Sequence, residues 1–86
     1  MTVNKAQKES LIKAISEVLN ELNHHNVDEV AKKISSLKRV SKKFSRKIQE
    51  DIILFCTQVD MQKDYRPQDG ISEKIRKMAD KILKDL

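Results

Sequence analysis

One glycine and one proline, Gly70 and Pro67, stand three residues apart in a chain of 86, so the strongest backbone punctuation falls in a single place. Everything before residue 60 lacks both, and long helices are the expected outcome there. The only aromatic residues are Phe44, Phe55 and Tyr65, with no Trp, which leaves Ile, Leu, Val and Ala to build the core. That is the material of helix-on-helix packing. This length allows one core and one domain, and 38% hydrophobic residues is too apolar for a disordered tail.

Hydrophobic spacing divides the chain into four stripes. Leu11, Ile12, Ile15, Val18, Leu19 and Leu22 cover an arc of about 120° on a helix over residues 4–23, with Asn4 and Gln7 spaced as a capping box. Val27, Val30, Ala31, Ile34 and Leu37 predict a second helix over 27–38. Asn26 is placed to cap it, Glu29 to reach back, and Asp28 with Glu29 to meet the positive end of its dipole. The bridge between these two helices is short, which makes them antiparallel neighbours. Phe44, Ile48, Ile52, Phe55 and Val59 predict a third helix over 41–61, capped by Ser41. Its separation from the second, placed at 39–41, rests on length alone, since an unbroken helix from 27 to 61 would far exceed the usual three to four turns. After a loop at 62–70, Ile71, Ile75, Met78, Ala79, Ile82 and Leu86 predict a fourth helix over 71–86, capped by Asp69 or Ser72. The fold expected is all-α, a small four-helix, mostly antiparallel bundle. Ile15, Leu19, Ile34, Phe44, Ile48, Ile52, Phe55, Ile75 and Ile82 are its expected core.

Little in the chain supports catalysis. One glycine cannot make a phosphate-binding loop. The lone cysteine, Cys56, sits in an apolar run without a neighbouring cation in sequence, as a buried inert thiol would. His24 and His25 are adjacent and so diverge by about 100° on a helix, a poor arrangement for one metal. The acidic pairs Asp28/Glu29 and Glu50/Asp51 diverge in the same way. A non-enzymatic protein without metal or cofactor is expected. No apolar stretch approaches a membrane span or a signal segment, which favours a cytoplasmic protein with no membrane partner.

Charge is the anomaly. From Val30 to Gln49 there are eight basic residues and no acid, whereas the other 66 residues carry 10 basic and 13 acidic. Such segregation is unlike the interspersed charge of an ordinary soluble surface. If the third helix begins at Ser41, then Lys42, Lys43, Arg46 and Lys47 fall within about 140° of arc, opposite its apolar stripe. The ridge at 32–47, with Lys38, Arg39, Lys42, Lys43, Arg46 and Lys47 as the contacting residues, points to phosphates of DNA or RNA bound with little sequence specificity. The alternative is a protein-interaction module, such as an inhibitor, immunity factor or adaptor, that binds an acidic protein. A helix-turn-helix laid over 29–48 fails, because Ser35-Ser36 stands where a glycine and an apolar residue belong. Ile53 and Leu54 point away from the third stripe. They mark either a central helix covered on several sides or a self-association surface in a homodimer.

Overall fold

The computed structural model describes residues 4–24, 26–63 and 73–86. It is an all-α, four-helix, mostly antiparallel bundle. Its elements are α1 (Lys5–Asn23), α2 (Val27–Ser41), α3 (Arg46–Lys63) and α4 (Glu73–Asp85), and no strand occurs among the described residues. Packing runs in series, α1 on α2, α2 on α3 and α3 on α4, so α2 and α3 are the inner helices. Two cross-helix ion pairs report the antiparallel sense. Lys33 of α2 meets Glu17 of α1 at 3.3 Å, and Lys47 at the start of α3 meets Asp85 at the end of α4 at 3.9 Å.

The capping box at α1 forms as its spacing predicts. Asn4 Oδ1 accepts from the Gln7 backbone N–H at 2.8 Å, and Gln7 Oε1 accepts from the Asn4 N–H at 3.2 Å. Two orphan donors are satisfied at the price of two short side chains. Asn4→Ala should therefore destabilise the protein by about 0.5–2 kcal/mol. Urea denaturation followed by circular dichroism measures this, and an unchanged midpoint would show that the first turn of α1 contributes no stability.

The expected cap at Asn26 does not form. Asn26 makes no side-chain cap hydrogen bond and has ψ 80°, because its own N–H is drawn to the carbonyl of Glu21 at 3.1 Å. A capping side chain needs extended backbone to aim at the first amides. Glu29 turns to Lys32 instead, at 3.4 Å. The acids of the first turn still oppose the dipole, as do Lys38 and Arg39 in the last turn.

The connection between α2 and α3 comes later than the sequence suggests: α2 ends three residues later, at Ser41, and α3 begins five residues later, at Arg46. Ser41 is not the cap of the third helix. It is the last residue of α2, buried, on the same face as Val30, Ile34 and Leu37. Its hydroxyl donates to the Lys38 carbonyl at 2.7 Å, which is how a polar group is tolerated there. Three i→i+3 bonds then tighten the chain: Lys42 to Arg39 and Lys43 to Val40 at 3.4 Å each, and Phe44 to Ser41 at 2.9 Å. Phe44 is buried within this turn, and Ser45 takes the capping role, its Oγ accepting from the Ile48 N–H at 3.4 Å. Gln49 Nε2 donates back to the Phe44 carbonyl at 2.7 Å. α2 runs unbroken through Ser35-Ser36, so a helix-turn-helix has no turn at that place. At the far end α3 continues to Lys63, two residues into the expected loop. The expected caps Asp69 and Ser72 and the first residue of the fourth stripe, Ile71, lie outside the described residues.

One contiguous apolar cluster joins all four helices. Eight of the nine expected core residues are buried in it; Leu19 is only partly buried. Ile12 is exposed, because α1 is packed mainly by α2 and buries a narrower arc than its stripe, and Val27, the first residue of α2, is exposed as well. No described helix is long and apolar enough to cross a membrane.

Candidate nucleic-acid interface

The turn at 42–45 changes the shape of the basic surface. Lys42 and Lys43 do not lie on α3, so there is no ridge along one helix face. Lys38 and Arg39 occupy the last turn of α2, Lys42 and Lys43 the connection, and Arg46 with Lys47 the first turn of α3. All six are exposed, and each lies within about one helical turn of the hairpin end. They form a cationic cap on one end of the bundle.

The eight basic residues of the block are not equivalent. Lys32 and Lys33 lie in the middle of α2, away from the hairpin end, and pair with Glu29 and Glu17. They drop out of the candidate surface. Arg46 Nε lies 3.5 Å from Glu50 Oε1 and Lys47 Nζ 3.9 Å from Asp85 Oδ2, in exposed pairs of the kind that contribute at most about 1 kcal/mol. Lys38, Arg39, Lys42 and Lys43 make no ion pair among the described residues. Lys38 and Arg39 are stabilised by the negative end of α2. Lys42 is the C-cap of the same helix and Lys43 follows it, and the first turn of α3 adds no acid to offset them. Antiparallel packing also brings the start of α1, with Lys5 and Lys8, to this end. Some thirty residues of intervening sequence hid that pairing.

Other candidate chemistry is sparse. His24 closes α1, its ring N–H donating from Nδ1 to the Asn20 carbonyl at 2.7 Å; His25 lies outside the described residues. No group of three His, Cys, Asp or Glu converges among the described residues. Cys56 is buried beneath a groove of about 310 Å³ between α2 and α3, whose rim includes Lys38 and Asp60. Burial pushes its thiol up to about 11, with Lys38 pulling down and Asp60 pushing up. Such a group stays protonated near neutral pH and is a poor nucleophile. At pH 8 its reaction with a disulfide reagent such as Ellman's should be slower than that of unfolded chain by about two orders of magnitude. Equal rates with and without guanidinium would show that the site opens freely. Because the folded-state value is raised, the stabilising effect of the neutral thiol is complete below pH 9.0 and is lost as pH rises through about 11.

Ile53 and Leu54 are 54% and 57% exposed on the outer side of α3, and Met61 continues this apolar surface. They are not covered by the bundle, although α3 is an inner helix.

The chain matches no protein-family model, no curated protein and no solved structure.

Proposed function

We propose that the protein binds nucleic acid through phosphate contacts, with little sequence specificity, using the cap formed by Lys38, Arg39, Lys42, Lys43, Arg46 and Lys47. The observation that carries this reading is the concentration of four exposed cations without a carboxylate partner among the described residues at the α2–α3 turn. Like charges held this close repel, and a polyanion relieves that repulsion while releasing its own counterions. The two weak pairs at Arg46 and Lys47 exchange readily for phosphate.

The surrounding chemistry favours backbone contacts over base reading. Phe44 and Phe55 are both buried, so neither can stack on a base. Only Arg39 and Arg46 have the planar fork that reads guanine in the major groove, and lysines act as point charges. A duplex or a folded RNA, with closely spaced phosphates on a firm scaffold, suits an end-on cap better than a flexible single strand. The test is a titration of labelled duplex, single strand and RNA hairpin by fluorescence anisotropy, with a chain carrying Lys42→Glu and Lys43→Glu alongside. Unchanged affinity in that variant would overturn the assignment.

A further inference from the structure

The side of the bundle between α3 and α4 carries a second arrangement, and we infer that it is a docking groove for an acidic, amphipathic helical segment of a partner protein. Lys74, Lys77 and Lys81 stand at i, i+3 and i+7 on α4, within about 60° of arc. With Glu73 and Met78 they line an open hollow of about 500 Å³ whose described lining comes from α4 alone. A smaller hollow of about 80 Å³ adjoins it, lined by Asp51, Leu54, Met78 and Lys81. Met78 and Lys81 belong to both. The surface is thus an apolar floor of Leu54 and Met78 with a lysine rim.

This combination selects its occupant. Leu54 is exposed and Met78 half-buried, and the unbranched methionine adapts to apolar side chains of varied shape. A helix laid in the groove would place apolar residues on this floor at i, i+3 or i+4, and i+7. The rim then asks for carboxylates on the flanks of that helix. Among the described residues Glu73 is the one acid on the rim of the larger hollow, and it is paired with Lys77 at 3.4 Å. In the smaller hollow the Asp51 side chain is part of the wall, with Oδ2 buried and without a hydrogen-bond donor. A second copy of this chain fits poorly, since a two-fold interface would set lysine against lysine. Phosphates have no use for its apolar floor.

The inference stands apart from the nucleic-acid reading, because none of its residues belongs to the α2–α3 cap. Its test uses the full chain and a labelled synthetic peptide of about 16 residues with leucines on one helical face and glutamates beside them. A scrambled peptide of identical composition keeps the charge and loses the face. The designed peptide should bind at least about tenfold more tightly than the scramble, as should wild type relative to Leu54→Ser and to the pair Lys74→Glu with Lys77→Glu. Circular dichroism melts establish that these surface variants stay folded. Lys42→Glu with Lys43→Glu should leave peptide binding unchanged while weakening duplex binding, so the two assignments fail separately. Equal binding of the scramble, full affinity in the α4 variants, or a self-associating chain whose dimerisation blocks the peptide would each overturn it.

Discussion

Phe55→Ala should destabilise the protein by about 3–5 kcal/mol and lower its melting temperature by more than about 10 °C. Phe55 is 0% exposed, on the helix that packs against both α2 and α4. Truncation would remove its transfer free energy and leave a void that the surrounding core fills only in part. A chain of this size has a total stability of about 4–13 kcal/mol, so the loss is a large fraction of the whole. The control is one position away in sequence and exposed, about 100° around the helix: Leu54→Ala should change stability by less than about 0.5 kcal/mol. Urea melts followed by helical ellipticity compare the two, with similar m-values expected if the unfolded states are alike. Comparable losses at Leu54 and Phe55 would mean that the buried face of α3 has been misassigned.

Sequence periodicity located this face without difficulty, and the reasons it succeeded there and failed elsewhere are physical. Ile48, Ile52, Phe55 and Val59 repeat at helical spacing because one side of α3 meets its neighbours, and burial of that stripe is the dominant energy. The α2–α3 connection is a different kind of object. It contains no glycine or proline, and its two serines, Ser41 and Ser45, are four residues apart and therefore share a helical face. Either spacing offers a cap. What separates them is that Ser41 falls on the buried stripe of α2 and satisfies its hydroxyl locally, whereas Ser45 meets the first amides of α3. Asn26 fails for a related reason: a cap depends on backbone conformation, and the Glu21 carbonyl sets that conformation from the preceding helix.

Charge was legible in the same partial way. The density of lysine and arginine between residues 38 and 47 needs only the sequence, but the carboxylates that pair with Lys33 and Lys47 come from Glu17 and Asp85, far away in the chain. Conversely, the lysine row of α4 hides in a segment whose acids nearly balance it, and it becomes a surface only once Glu73 is seen paired and Met78 is seen beneath it. The exposed pair Ile53 and Leu54 divides as well: Leu54 lines the small hollow beside α4, and Ile53 does not.

Raising monovalent salt from about 50 to 200 mM should weaken binding of a duplex of about 20 base pairs by about 10²–10³-fold. The range follows from the cap itself. Lys38, Arg39, Lys42 and Lys43 carry unpaired charge among the described residues, and Arg46 and Lys47 join them if phosphate displaces Glu50 and Asp85. Four to six phosphate contacts at about 0.9 counterion each give a slope of log K against log salt between about −3.6 and −5.4. Reversing Lys42 and Lys43 to glutamate removes two contacts, so the slope should flatten by about 1.8 and low-salt affinity should fall steeply, because two cations become two repulsive anions. Both side chains are exposed in the turn, and melts of the variant should stay close to wild type. Changing the duplex sequence at constant length should alter affinity by no more than about threefold, since base-edge contacts are scarce. A slope near zero would mean that the cations are solvated rather than bound to phosphate. A steep slope that persists unchanged in the double reversal would move the interface away from the α2–α3 turn, with the start of α1 and its Lys5 and Lys8 as the next place to look.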